Sequence, residues 1–304
     1  MNYTRLTEKK KVEIDILLNQ GMSMREVGKI LKINHSSISR YKANKYKERK
    51  QGIKPQYERF LKYLYEQYDW RNKSIEVCVE IYKRKYPYSP CVTVKQVYNW
   101  INQGKIEIKR DKLCYRKRKR KVNNGMMRHV EWNVENKTVL PIRLRPKHIE
   151  QRKEIGHLEI DSILGKRNEQ DSIISIVDRC TRKVWLIKAE YKNEYYINNL
   201  IYNYILKNKI TVKSITTDNG IEFSTLGIAA KKLGVKLYKC DPYCSFQRGS
   251  NERMNAIVRR YISKGTSLKL KPQIYLDDIS FNINTMPRKI FDFKSASSIE
   301  LNYY

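Results

Sequence analysis

Three acids in this 304-residue chain sit where they could do chemistry together: Asp161, Asp218 and Glu252. Asp161 lies in Leu158-Glu159-Ile160-Asp161-Ser162-Ile163-Leu164, a short apolar run of strand character that Gly165 closes. Asp218 follows residues 212–217, which read as a buried strand, in the phrase Thr217-Asp218-Asn219-Gly220. Glu252 closes Arg248-Gly249-Ser250-Asn251-Glu252, which opens a helical pattern. Three carboxylates held on separate regular elements predict a metal site. Other acids compete for the role. Glu159 is two residues from Asp161 and so faces the same side of its strand. Asp178 follows another strand and has Arg179 and Arg182 at hand for pairing in a turn, and Glu222 is an acid near the site.

The elements that must position these acids follow from the pattern after Gly156, which alternates. Runs at 158–164, 172–177 and 183–189 predict a three-stranded antiparallel unit. A helix over 193–207, a strand over 212–217, a helix over 226–233, a strand over 235–239 and a further helix come next. Three strands, helix, strand, helix, strand, helix is the order of a ribonuclease H-like fold, an α/β mixed sheet flanked by helices, better than of a doubly wound parallel sheet.

The chain before Gly156 reads as all-α. Thr7 precedes an apolar series at Val12, Ile16 and Leu17, with Gly21 as the stop. Ser23-Met24-Arg25-Glu26 has the form of a capping box and leads into Val27, Ile30 and Leu31. A third helix starts at about His35 with Ile38 inward and Ser36, Ser37, Ser39, Arg40 and Lys42 available to face out. Short hydroxyls allow close approach to a major groove and Arg reaches a base edge or phosphate, so the three helices predict a helix-turn-helix. The alternative is a three-helix bundle with a polar face. A basic run over 41–54 then links to helices at Phe60, Leu61, Leu64 and Tyr65, and at 75–82 after Ser74. Thr93 caps a helix carrying Val94, Val97, Tyr98 and Ile101, which exposes Lys95, Gln96 and Asn99 for DNA or for packing. Arg116, Lys117, Arg118, Lys119, Arg120 and Lys121 are six consecutive cations that only solvent ions or phosphates can neutralise. The expected domains are 1–50 and 51–110 as helix-turn-helix DNA-binding units, 111–154 as a basic linker without regular structure, and 155–304 as the catalytic unit.

Composition points the same way. Lys and Arg number 63 against 31 acids, a formal net charge of +32, which marks a polyanion partner and above all nucleic acid. The excess is densest before residue 122, where the net charge is +20. No stretch approaches the roughly 20 apolar residues of a membrane span. The expected location is the cytoplasm of a bacterium, at its nucleoid. Six cysteines (Cys78, Cys91, Cys114, Cys180, Cys240, Cys244) form no C-x-x-C pair, and His35, His129, His148 and His157 are dispersed. The spacing therefore predicts free thiols and no structural zinc site.

With these residues in view, a resemblance can be stated. Gly156-His157-Leu158-Glu159-Ile160-Asp161, Thr217-Asp218-Asn219-Gly220-Ile221-Glu222-Phe223, and Gln247-Arg248-Gly249-Ser250-Asn251-Glu252 followed by Arg259, Lys264 and Gly265 resemble the DDE transposases of bacterial insertion sequences. The IS-thirty family is the best match, and 33 residues separate Asp218 from Glu252, as its spacing requires. Residues 93–101 and Met286-Pro287-Arg288-Lys289 also look like that family. The chain departs from the pattern at Leu158, where Trp is usual, and at Cys244-Ser245-Phe246, where Ser-Pro-Trp is common.

The resemblance implies a DDE enzyme that binds the terminal inverted repeats of its own element, then cleaves and joins double-stranded DNA. Exchanging phosphodiesters needs stabilisation of both the entering and leaving oxygens, which two divalent ions about 3.5–4 Å apart provide. Magnesium, with manganese as a substitute, accepts carboxylate, water and phosphate oxygens. In the family's geometry Asp161 bridges both ions, with Asp218 and Glu252 each on one. Arg248, Asn251 and Asn255 are candidates for DNA near the cleaved bond, with structural roles at the helix start as the alternative. Two ends and a target imply an oligomer, at least a dimer. Two rivals stand: an integrase-like recombinase with the same chemistry, and a DNA-binding regulator whose catalytic unit is inert.

Overall fold

The computed structural model describes residues 6–50, 52–109, 113, 138–241 and 244–303. The run Arg116–Lys121 lies outside them. Three short helices begin the chain: α1 (Glu8–Asn19), α2 (Met24–Leu31) and α3 (His35–Lys50). Thr7 Oγ1 accepts from Lys10 N at the start of α1, and Ser23 and Glu26 form the reciprocal capping box of α2. Ile14, Val27 and Ile38 meet as the fully buried centre of this unit. Gly28 makes the tight exit from α2 possible, because a Cβ there would stand 2.7 Å from Ile33 O.

Two expectations change here. Val12 and Ile16 are exposed, since the inward stripe of α1 runs through Ile14, Leu17 and Leu18. The basic stretch after Tyr41 continues α3 to Lys50 rather than linking, because no Gly or Pro interrupts its helix-forming Lys, Arg, Ala and Glu residues before Gly52.

Helices α4 (Glu58–Gln67), α5 (Ile75–Lys85) and α6 (Val94–Asn102) pack around Phe60, Leu64, Val79, Tyr82, Val97 and Trp100. Ser74 and Thr93 cap α5 and α6 as their spacing predicts. The Phe60 and Tyr82 rings meet edge to face at 5.1 Å. This unit touches the rest of the chain through exposed polar pairs, among them Arg84 with Asp292 at 2.6 Å and Lys289 with Glu76 at 2.7 Å.

The remaining chain forms a six-stranded sheet: β1 (Val139–Pro141), β2 (His157–Leu164), β3 (Ser172–Asp178), β4 (Val184–Ala189), β5 (Ser214–Thr217) and β6 (Lys236–Lys239). The spatial order is β1-β6-β5-β2-β3-β4. Strands β2, β3 and β4 pair antiparallel, whereas β5 joins β2, β6 joins β5, and β1 joins β6 in parallel. This is the mixed ribonuclease H-like sheet, with one strand added at its edge. The added strand corrects the reading of 111–154 as structureless linker. Residues 139–150 hold β1, a one-turn 3-10 helix and the short helix α7 (Lys147–Glu150). A three-residue strand is too short to show alternation.

Strand residues alternate between two helical layers. Leu158, Ile160, Ile174 and Ile176 pack with α8 (Glu194–Lys207) and α9 (Leu226–Lys232). Ile163, Ile173 and Val177 pack on the other face with α10 (Gly249–Val258) and α11 (Gln273–Thr285). Glu159 and Asp161 share the parity of Ile163 and so point toward α10. A last helix, α12 (Ala296–Glu300), follows. Among the described residues no helix is long and apolar enough to cross a membrane.

Candidate active site

Strand pairing brings the first two acids together. In the parallel pair β2–β5, Glu159 stands opposite Thr216, so carrying the register on by two residues sets Asp161 beside Asp218. Both lie toward the carboxyl ends of neighbouring parallel strands, where α/β sheets place their ligands. Ser162 N donates to Asp161 Oδ1 at 2.9 Å, and Gly220 N donates to Asp218 Oδ1 at 3.0 Å, closing the turn after β5. The space beside Gly220 is filled by the acids: a Cβ there would come within 2.6 Å of Glu222 Oε2 and 3.1 Å of Asp218 Oδ1. Glu222 in turn accepts from Ser162 Oγ at 2.6 Å, which ties the two acidic loops.

Helix α10 supplies the rest. Arg248 Nη1 lies 2.9 Å from Asp161 Oδ1, and its Nη2 lies 2.9 Å from Asp218 Oδ2, so one guanidinium spans both carboxylates. Asn255 Nδ2 donates to Asp161 Oδ2 at 2.8 Å. Glu252 falls four residues after Arg248 and three before Asn255, the spacing that stacks residues on one helix face. It is exposed. The three acids are not drawn into one tight cluster. Among the described residues, the one group of three His, Cys, Asp or Glu ligand atoms within 4.8 Å of one another is His148, Glu154 and His157.

Burial pushes the Asp161 carboxyl above the usual carboxylate range, with Arg248 opposing the shift and Asp218 adding to it. The buried Lys239 amine donates to Phe223 O at 2.8 Å and Asp218 O at 3.3 Å, and burial pulls it down to about 8. Sequence reasoning passed over Lys239, which carries no motif, and named Glu222 only as an acid near the site, without its Ser162 partner.

The competing acids have structural duties. Glu159 is fully buried, with Arg179 Nη1 donating to Oε1 at 2.9 Å and Asn251 N donating to Oε2 at 3.0 Å. Asp178 does not pair with Arg179 or Arg182. Its Oδ1 accepts from Cys180 N and from Thr181 N and Oγ1, and its Oδ2 accepts from Gly156 N at 2.8 Å, so it organises the turn through backbone donors.

The expected DNA contacts divide. On α3, Ser39, Arg40 and Lys42 are exposed while Ser36 and Ser37 are half-buried; on α6, Lys95 is exposed while Gln96 and Asn99 are half-buried. Asn251 is fully buried on α10, where its backbone N–H meets Glu159, and Arg248 is buried against the acids. Positive charge reaches the surface nearby instead. A cleft of about 390 Å³ beside α10 is lined by Arg152, Arg182, Arg253, Arg260, Arg288 and Lys289.

Comparison with known proteins supplies a family context for this geometry. A helix-turn-helix domain family matches residues 2–41. The probable transposase for insertion-like sequence element IS1161 of Streptococcus salivarius is 34% identical over 233 residues, 75% of this chain and 64% of that protein. Transposase InsI for insertion sequence element IS30A of Escherichia coli (strain K12) is 33% identical over 168 residues, 55% of this chain and 43% of that protein. The chain thus spans less than two thirds of these relatives' length. Among solved structures, the catalytic core domain of BIV integrase covers 48% of this chain and 94% of that chain, at 17% identity and a TM-score of 0.37. The fold assignment rests on the strand order described above. Over the part of those proteins that it spans, this chain is similar in sequence to transposases of bacterial insertion sequences.

Proposed function

We propose that this chain is the transposase of an insertion sequence, which binds the element's terminal inverted repeats and cleaves and joins DNA strands at Asp161, Asp218 and Glu252. The observation that carries this reading is the pairing of Asp161 and Asp218 on adjacent strand ends, spanned by a single cationic group, Arg248, at the entry to α10. The Arg248 guanidinium marks a place between two carboxylates where positive charge is already held. The donors are all hard oxygens, so the set fits magnesium or manganese, with Asp161, Asp218 and Glu252 as ligands and two ions per site. When bound, such ions activate the attacking oxygen and stabilise the leaving one. Arg248 must give up at least one carboxylate for this, and becomes available to a phosphate.

The residues of the chain do the positioning. Residues 1–50 and 51–110 form two DNA-binding units, and the basic stretch that follows connects them to a catalytic unit that begins with β1. Ser39, Arg40 and Lys42 on α3 enter the recognised duplex, and the cationic cleft beside α10 holds the backbone near the acids. Serving two ends requires at least a dimer, working on the DNA of a bacterial cytoplasm. The test is cleavage and joining of a labelled duplex bearing the element's own terminus, with magnesium, manganese or EDTA, comparing wild type with Asp161→Asn, Asp218→Asn and Glu252→Gln. Cutting by wild type and binding without cutting by each variant is the expected result. Binding without cutting by wild type under every metal, with both ends supplied, would favour an inert regulator. Cutting at ends without inverted repeats would favour an integrase-like recombinase.

A further inference from the structure

The histidines that look dispersed in the sequence are brought together by α7 and β2, on the side of the sheet opposite to the acids' open end. His148 lies on α7, His157 opens β2, and Glu154 lies on the connection between them. One ligand atom from each lies within 4.8 Å of the other two. The His148 and His157 rings approach with centroids 6.0 Å apart.

His157 is the informative member. It is 5% exposed, yet its Nε2 has no hydrogen-bond partner and stands 3.5 Å from Glu154 Oε2. A buried ring nitrogen left without a partner costs about 1–3 kcal/mol, so the arrangement calls for an occupant. The other nitrogen, Nδ1, meets Ser214 Oγ at 2.8 Å. With the Nδ1 proton donated to that hydroxyl, Nε2 presents its lone pair toward Glu154 and His148, the outer-sphere arrangement that orients metal-bound histidines.

We propose that His148, Glu154 and His157 form a site for a zinc-class transition cation, which clamps α7 to the start of β2. Two imidazoles and one carboxylate are the ligand types of three-coordinate protein sets for zinc, with a water completing the tetrahedron. They suit zinc, cobalt or nickel better than magnesium, which takes oxygen ligands. Bond lengths of about 2.0–2.2 Å give a tetrahedral edge of roughly 3.3–3.5 Å. The Nε2 to Oε2 distance of 3.5 Å already has that value. The widest pair has to close by no more than about 1.5 Å to reach the tetrahedral edge. His148 is exposed, and rotation of its side chain supplies this. Lys213 Nζ, 3.2 Å from the same Glu154 oxygen, is half-exposed and can turn to solvent as the cation enters.

The clamp acts on the strands that carry the acids. His157 starts the strand that bears Asp161, and its Ser214 partner starts the strand that leads to Asp218. The site is separate from those acids and does not depend on the catalytic reading.

The test uses the untagged full chain stripped with EDTA, titrated with Zn²⁺ by calorimetry and with Co²⁺ by visible absorption. One equivalent is expected to bind, with the intense bands of tetrahedral cobalt and a rise in the thermal midpoint. His148→Ala, an exposed change whose fold is checked by circular dichroism, is expected to weaken binding at least tenfold and abolish the bands. Ser214→Ala is expected to weaken it about 10–100-fold through the lost orientation of His157. Asp161→Asn, which disables the separate site at the acids, should keep the cobalt bands that depend on His148. Absence of stoichiometric binding by wild type, or an isotherm of His148→Ala superimposable on wild type, would overturn the proposal.

Discussion

Replacing Glu159 by Gln is expected to weaken the fold and spare cation binding, while Asp161→Asn, two residues along the same strand face, does the reverse. The magnitude follows from the contacts. Glu159 is fully buried, and its oxygens accept from Arg179 Nη1 at 2.9 Å and Asn251 N at 3.0 Å. The Arg179 side chain is 1% exposed, so losing the charge beside it leaves a buried guanidinium undercompensated. Breaking one side of a buried pair costs roughly 3–5 kcal/mol. Glu150 still accepts from Arg179 Nη2 at 2.8 Å and, although its side chain is 52% exposed, keeps the guanidinium partly compensated. The expected cost is therefore near the lower bound, about 3 kcal/mol. In a folded unit of this size that lowers the thermal midpoint by roughly 6–12 °C. The assay is urea unfolding in EDTA, followed by circular dichroism and tryptophan fluorescence, with Mn²⁺ titration calorimetry on the same proteins. Asp161→Asn should unfold within about 1 kcal/mol of wild type, because its amide can still accept from Asn255 and the replaced charge was itself partly buried. It should lose manganese. If Glu159→Gln unfolds with the wild-type midpoint yet binds no manganese, Glu159 is the ligand and the division of labour along β2 is wrong.

Further expectations concern α10 and the first helices. Arg248→Gln leaves Asp161 and Asp218 facing each other without their shared cation, and should lower stability in EDTA by about 2–3 kcal/mol, with Asp218 screened by its exposure. Millimolar Mn²⁺ should restore part of this, and no restoration would mean that the two carboxylates form no cation site. Arg40→Ala, on the exposed face of α3, should change stability by no more than about 0.5 kcal/mol while reducing the slope of log affinity against log salt by about one. Unchanged affinity and slope would remove α3 from the DNA surface. Ser23→Ala breaks the capping box of α2 and should cost about 1 kcal/mol, read as a lower midpoint of the N-terminal unit. An unchanged midpoint would show that the cap adds nothing to that unit.

What could be read from the sequence was what depends on local patterns. Strands β2 to β6 carry runs long enough to alternate or to fill with branched apolar residues, and Ser23, Ser74 and Thr93 announce their helices by side chains that bond within one turn. The parity of Asp161 with Glu159 was also legible, and so was the rivalry between them. Which of the two is structural was not, because the answer is Arg179, twenty residues away and delivered by an antiparallel turn. For Arg248 and Asn251 a DNA contact and a structural role at a helix start were both open, because the local pattern does not show what covers that helix. Their burial comes from the packing of α10 onto β2, a long-range event. The choice of Val12 and Ile16 over Ile14 as the inward residues of α1 failed for a related reason: several apolar stripes fit a short helix, and the partner helices select one.

The edge strand β1 bears on how the sheet is completed in time. Val139 to Pro141 are synthesised before any other strand, but their partner is β6, paired through Leu237 to Lys239, and β6 is made last. The segment that seals the sheet therefore waits through the making of nearly the whole sheet before it can bond, and until β6 is made β5 offers an open edge to other chains. A fragment begun at residue 155 would keep all three acids and leave the edge of β6 permanently bare, together with the loss of Arg145, whose Nη1 donates to Thr216 Oγ1 at 3.0 Å. Begun at 138, the same fragment carries its own cover, since Thr138 O accepts from Leu237 N at 2.8 Å. The two fragments should differ in solubility far more than their seventeen extra residues would suggest.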